Sequence, residues 1–176
     1  MTAGGYEPLP DRVSLLRRAA GLAAKTIIID VEPLIAWWDT SQKSLDQGIA
    51  AVLDQIRAMP EVLVICFATN SGRRPSAVPA AAGIRVLYVS SARKPFRTAP
   101  YRALPRPGVV IGDQVTTDGI LASRLGYTFL HYNPPLRGIP LGPRLMRYSG
   151  RLVLPVLHRA ARIGGTSGSD TGAGRP

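Results

Sequence analysis

The sequence predicts a three-layer α/β fold in which a parallel sheet is covered by helices on both faces. Short apolar runs at 26–31, 62–68, 84–89 and 108–112 are typical of buried strands, and a fifth strand is predicted at 127–131. Helical patterns separate these runs, so consecutive strands are joined by crossover connections and pair in parallel. The chain has 176 residues, which is enough for one domain with its own core but not for two full domains.

Start and stop signals limit the predicted helices. The helices are expected at 11–25, 41–59, 76–82, 97–104 and 116–126. Thr40 or Ser41 gives the second helix an N-cap signal, and Gly126 ends the last helix. Pro79 interrupts the third pattern, while Pro100 and Pro105 restrict the fourth, so both of these helices are predicted to be short.

Composition divides the chain into three parts. Residues 10–135 carry all of the alternating apolar runs and form the predicted domain. Residues 136–163 form a basic amphipathic arm, which begins within a connector rich in proline and glycine at 133–143 and continues with the helical pattern at 144–163. Residues 164–176 are rich in glycine and serine and lack apolar side chains to bury, so this tail is predicted to be disordered.

The charge of the chain is strongly positive and unevenly distributed. There are 22 basic and 11 acidic residues, and no acidic residue lies between Asp118 and Asp170. Such a one-sided field favours an anionic partner. Two interpretations of the arm at 144–163 stay open: it packs on the domain with its arginines in solvent, or it lies on an anionic membrane surface. Nucleic acid is disfavoured because no aromatic platform or known DNA-binding motif accompanies the arginines.

Compartment signals are few and agree with one another. No run of about 18 apolar residues is present, so no membrane-spanning helix is expected. The first residues lack the basic start and apolar centre of a secretory signal. The single cysteine, Cys66, lies in an apolar strand and cannot form an intramolecular disulfide. We therefore expect a cytoplasmic protein, with peripheral association at the inner membrane face if the arm binds lipid.

Polar side chains follow each of the first four predicted strands. They are Asp30 and Glu32 after the first, Thr69, Asn70 and Ser71 after the second, Arg93 and Lys94 after the third, and Asp113 and Asp118 after the fourth. The carboxyl ends of parallel strands meet at one edge of the sheet, where ligands bind. Carboxylates, a hydroxyl and an ammonium group gathered at one edge can attack a phosphoryl group, neutralise its charge and bind Mg²⁺.

These four loops resemble the four motifs of the haloacid-dehalogenase-like (HAD) superfamily of phosphatases. The stretch VVIGDQVTTDGILASRLGY at 109–127 is the most specific part. Together with TNS at 69–71 and KP at 94–95, it is similar to the YqeG-type branch, which includes phosphatidylglycerophosphate phosphatases. The resemblance covers roughly residues 10–135 and implies a Rossmann-like sheet, an Mg²⁺ cofactor and a lipid phosphate or a phosphorylated small molecule as substrate.

The resemblance also implies a role for each site residue. Asp30 corresponds to the nucleophile that forms an aspartyl-phosphate, Thr69 to the hydroxyl that binds the phosphoryl group, and Lys94 to the cation between them. Asn70, Ser71 and Arg93 are expected to assist substrate binding. The implied metal ligands are Asp30, the backbone carbonyl of Glu32, Asp113 and Asp118.

The first loop departs from the family pattern D-x-D-x-T. Glu32 stands at the position of the aspartate that protonates the leaving group, so the carboxylate is displaced by about one methylene. Pro33 lacks a backbone donor, and Leu34 replaces a hydroxyl residue. Two hypotheses follow: an active phosphatase adapted to glutamate, or a catalytically degenerate member that binds a membrane or a partner without turnover.

Overall fold

The computed structural model describes residues 11–133, and within this range one parallel sheet organises the chain. Its strands are β1 (Thr26–Asp30), β2 (Val64–Ala68), β3 (Arg85–Val89), β4 (Gly108–Gly112) and β5 (Thr128–His131). The order across the sheet is β3-β2-β1-β4-β5, and every neighbouring pair is parallel. The predicted α/β class is confirmed, and each strand lies within the run that predicted it.

Helices lie on both faces of the sheet. They are α1 (Arg12–Gly21), α2 (Gln42–Ile56) and α3 (Ile120–Leu125), with a 3₁₀ turn at Ala99–Tyr101 and a π-helical turn at Val115–Gly119. The side chain of Asp11 caps α1 by accepting from the Ser14 N–H, and Ser41 caps α2 in the same way. Gly126 ends α3 with a φ of 65°, a left-handed conformation that glycine adopts without a Cβ penalty.

Alternation along the strands divides the core into two layers. Ile27 and Ile29 of β1 pack with α1 and α2 on one face, whereas Ile28 packs with α3 on the other. All three isoleucines are at most 1% exposed, and each contributes about 1.5–3 kcal/mol through burial. A strand that is apolar on both faces is expected in a sheet covered on both sides, which is why the strands read as continuous apolar runs.

Two of the predicted helices are wrong. Residues 76–82 form bends, and an isolated bridge joins Ala81 to Ile84. The Ser76 N–H and hydroxyl both donate to the carboxylate of Asp46 on α2, so polar bonds to a neighbouring element fix this segment. Pro79 also removes a helical donor there. The predicted helix at 97–104 shortens to the 3₁₀ turn.

The arm at 136–163 and the tail at 164–176 lie outside the described residues, so the predictions for them stay untested. In the part of the chain that the structure describes, no helix is both long and apolar enough to span a bilayer.

Candidate active site

The site lies where the chain changes direction across the sheet. From β1 the chain proceeds outward to β2 and β3, and then returns to β4 on the other side of β1. Such a reversal leaves a crevice between the two central strands at their carboxyl ends. Asp30 is the last residue of β1, and Asp113 directly follows β4, so the two carboxylates lie on either side of this crevice.

The ammonium group of Lys94 joins two carboxylates in this crevice. Its Nζ lies 2.7 Å from Asp30 Oδ1 and 2.8 Å from Asp118 Oδ1. It also donates to the backbone carbonyl of Ala68 at the end of β2, over 3.1 Å. The residue is only 5% exposed, so all three bonds form away from bulk water. Three predicted residues from three different loops are thus brought into direct contact.

Burial and charge act in opposite directions on this group. Burial alone lowers the pKa of Lys94, but the carboxylates of Asp118 and Asp30 outweigh it, so the pKa lies above its ordinary value. Burial raises the pKa of Asp30 well above its usual range, and the negative charge of Asp118 raises it further, although Lys94 opposes both effects. Lys94 therefore stays protonated, whereas burial and the charge of Asp118 disfavour the ionised form of Asp30.

Asp30, Asp113 and Asp118 form a buried cluster suited to a divalent cation. One carboxylate oxygen from each residue lies within 4.8 Å of the others, and the three residues are at most 7% exposed. Three carboxylates and one ammonium group leave a formal charge of −2. Carboxylate oxygens are the ligands that Mg²⁺ prefers in proteins. The role of the Glu32 carbonyl as a further ligand stays a prediction.

Gly112 lets Asp118 reach the cluster. A Cβ on this last residue of β4 would collide with the Asp118 carboxylate, so only glycine permits the approach. The π-helical turn carries Asp118 back toward the strand end, where its Oδ2 accepts a bond of 3.3 Å from the Gln114 N–H. The ring of His131 lies 3.1 Å from the Asp113 carbonyl and supports the same loop from β5.

Glu32 is held by the loop after β2. Thr69 Oγ1 donates to Glu32 Oε2 over 2.6 Å, and Ser71 Oγ donates to Glu32 Oε1 over 3.2 Å. Glu32 is 5% exposed and Thr69 is fully buried. The additional methylene of glutamate therefore places the carboxylate against the second loop. As a result, the Thr69 hydroxyl, which is predicted to bind a phosphoryl group, is directed at Glu32.

Arg73 is a site residue that sequence reasoning missed. Its NH1 lies 3.7 Å from Glu32 Oε1 and donates to the Trp37 carbonyl over 2.7 Å, while NH2 donates to the Thr40 carbonyl over 3.1 Å. The guanidinium group thus joins the loops that follow β1 and β2. With 19 arginines in the chain, the sequence offered no signal beyond its closeness to Thr69.

Asn70 organises the backbone around Lys94. Its Oδ1 accepts from the Lys94 N–H over 2.7 Å, and its Nδ2 donates to the Lys94 carbonyl over 3.2 Å. The structure therefore gives Asn70 a positioning contact, whereas its predicted contact with substrate stays a prediction. Arg93 is exposed at the rim, with a φ of 53°.

The departure at Leu34 has a structural explanation. Leu34 is 7% exposed and belongs to the core cluster that also contains Val31 and Ile35. The Ile35 N–H donates to the Val31 carbonyl over 2.8 Å, which closes the turn after β1 through the backbone. Apolar packing and a backbone bond therefore brace this loop without a hydroxyl group at position 34.

Comparison with protein-family models, with curated proteins and with solved structures finds no match for this chain.

Proposed function

We propose that this protein is a Mg²⁺-dependent phosphomonoesterase of the HAD type that acts through an aspartyl-phosphate. The observation that carries the proposal is the Lys94 ammonium held at 2.7–2.8 Å from both Asp30 and Asp118, with Asp113 in the same cluster. A buried cation beside a strand-end carboxylate at a crevice of a parallel sheet is suited to binding and transferring a phosphoryl group.

The chain's own groups account for both steps. Asp30 attacks phosphorus, the bond from phosphorus to the ester oxygen breaks, and the leaving oxygen takes a proton from the carboxylic acid of Glu32 to become an alcohol. Water then attacks the aspartyl-phosphate, which releases inorganic phosphate and restores the carboxylate. Lys94 offsets the charge on the phosphoryl oxygens, and Glu32, two residues from Asp30, is the proposed acid and base.

Mg²⁺ bound at Asp30, Asp113 and Asp118 would supply charge stabilisation for the phosphoryl oxygens. The buried carboxylate cluster fits this ion because hard oxygen ligands dominate it.

The proposed substrate class is an anionic phosphomonoester, with lipid phosphates such as phosphatidylglycerophosphate leading. The excess of 22 basic over 11 acidic residues supports an anionic substrate or surface. Peripheral association at the inner face of the membrane belongs to the same proposal.

Mg²⁺-dependent phosphate release from a panel of soluble phosphomonoesters and dispersed lipid phosphates tests the activity. Asp30→Asn is expected to abolish release, whereas Asp39→Asn, the same exchange at an exposed position, is expected to retain it. A beryllofluoride adduct on Asp30 would identify the nucleophile independently of the substrate. Unchanged turnover in Asp30→Asn would remove the assignment.

The hydrogen bonds to Glu32 favour a second candidate function, a HAD-type binding module without turnover. Both oxygens of Glu32 accept bonds from the second loop, and the Thr69 hydroxyl is occupied by one of them. A shorter side chain at position 32 would release Thr69. If Glu32→Asp raises phosphate release, then the natural residue holds the site in a less active arrangement. If it abolishes release, then the site is adapted to glutamate.

A further inference from the structure

An exposed aromatic side chain belongs to the turn that carries Lys94 of the candidate site. Phe96 is 79% exposed, the most of any large apolar residue in the described range. It follows Lys94 by two residues, and Lys94 contacts the cluster of carboxylates. A single exposed apolar residue is common and carries no argument alone. Phe96 is distinguished by the backbone bonds and the charges that surround it.

The turn that presents Phe96, residues 93–97, is held in place. The N–H groups of Phe96 and Arg97 both donate to the Arg93 carbonyl, over 2.9 and 3.1 Å. From α3, Arg124 NH1 donates to the Pro95 carbonyl over 2.9 Å and to the Phe96 carbonyl over 3.3 Å. Phe96 therefore points outward from a braced backbone.

The charge around this turn has one sign. Arg93 and Arg97 flank Phe96 in the sequence, Arg124 contacts its carbonyl, and all three residues are exposed. From residue 62 to residue 133, every exposed charged residue is an arginine, because the two carboxylates there, Asp113 and Asp118, are buried in the site. This part of the chain therefore offers no exposed negative charge to repel an anionic surface.

We infer that the 93–97 turn is a membrane-docking element that brings the mouth of the site to an anionic lipid surface. The Phe96 ring inserts among the lipid headgroups, while Arg93, Arg97 and Arg124 contact the phosphates. The choice of lipid rests on the proposed function, since a lipid phosphate must enter the site from the membrane. The turn belongs to the domain and not to the sequence of the arm at 144–163, so on this proposal residues of the domain orient the site toward the bilayer.

Binding of the full chain to vesicles gives the first test. Vesicles of phosphatidylcholine containing phosphatidylglycerol are compared with vesicles of phosphatidylcholine alone in a sedimentation assay. Phe96→Ser is expected to lower the partition coefficient on anionic vesicles about tenfold, and Arg97→Gln about fivefold. The matched controls Leu63→Ser and Arg85→Gln change an exposed leucine and an exposed arginine at the opposite edge of the sheet. They are expected to change binding by less than about twofold.

An environment-sensitive label separates docking by this turn from binding by another part of the chain. A cysteine introduced as Phe96→Cys can be labelled selectively, because Cys66 is buried and burial raises its pKa to about 12. The label is expected to shift its emission to shorter wavelength on anionic vesicles, whereas the same label at Leu63→Cys is not.

Three results would overturn the inference. They are the absence of vesicle binding, binding that leaves the label at position 96 unchanged, and a response to single-stranded DNA but not to vesicles. Phosphate release from soluble substrates by the unaltered chain and by Asp30→Asn is measured separately. Failure of docking is therefore distinguishable from failure of the proposed activity.

Discussion

Neutralising Asp113 should make the protein more stable than the unaltered chain when Mg²⁺ is absent. When Mg²⁺ is present, the variant should be the less stable of the two. Asp113→Asn removes one negative charge from the cluster and keeps nearly the same shape. Asp39→Asn is the control, because it makes the same change at an exposed position. A reversal of the order of stability on adding the ion is the expected signature of a metal site.

The distances between the carboxylates of the cluster set the size of the expected change in stability. Two ionised carboxylates at the upper limit of 4.8 Å repel each other by about 3.5 kcal/mol at an effective dielectric of about 20. Asp113 forms two such pairs, with Asp30 and Asp118, and the Lys94 ammonium that contacts both of these partners offsets part of the repulsion. Burial, and then the charge of Asp118, raise the pKa of Asp30. Protonation of Asp30 therefore removes part of the remaining repulsion between the carboxylates. A gain of about 1–2 kcal/mol is expected for Asp113→Asn in EDTA.

Urea unfolding in EDTA and in Mg²⁺ provides the assay. At an Mg²⁺ concentration about 100 times its Kd, the unaltered chain should gain about 2.7 kcal/mol, whereas Asp113→Asn should gain little. Asp39→Asn should follow the unaltered chain in both conditions. Equal Mg²⁺ stabilisation of Asp113→Asn, or a loss of stability in EDTA, would refute the electrostatic reasoning.

Three further predictions concern single side chains. Lys94→Met should lower the free energy of unfolding by about 3–5 kcal/mol, because two buried carboxylates lose their ammonium partner; a loss below about 1 kcal/mol in urea would contradict this. Arg73→Ala should reduce phosphate release, because Glu32 and the loop after β1 lose their contacts with the guanidinium group, while Arg73→Lys should restore part of the rate; an unchanged rate in Arg73→Ala would contradict this. Cys66 should resist iodoacetamide at pH 9 in the folded chain and react in urea, because burial raises the pKa of its thiol to about 12. The thiol ionises above about pH 8.5 in the unfolded chain, as in an unperturbed cysteine, but only near pH 12 in the folded chain. The free energy of unfolding is therefore unaffected below about pH 8.5 and falls as the pH rises from there through 12.

The three inner strands, β1, β2 and β4, were predictable because burial on both faces requires apolar side chains along nearly the whole strand. Runs such as 108–112 are apolar throughout, and the structure places β4 at those residues. The meeting of Asp30, Lys94 and Asp118 could also be anticipated, since parallel strands bring their carboxyl ends to one edge. A local sequence pattern was sufficient to predict these strands, and a rule of topology was sufficient to predict that the site residues meet.

Features that depend on contacts between distant segments could not be predicted. The alanine-rich residues 76–82 have helical propensity, but bonds from Ser76 to Asp46 hold them in another conformation. The contact between Arg73 and Glu32 spans 41 positions of chain and left no local pattern. The same holds for the turn of Glu32 toward Thr69, which depends on the length of a single side chain.

The amide of Asn70 matches a peptide unit in both directions, donating to the Lys94 carbonyl and accepting from its N–H. Both bonds use only backbone groups of Lys94, so they tie the main chain at position 94 to the loop that follows β2. An exchange at position 94 removes the bonds of the ammonium group but leaves both of these backbone bonds available. A variant at this position therefore changes the charge in the crevice while the amide of Asn70 still links the two loops.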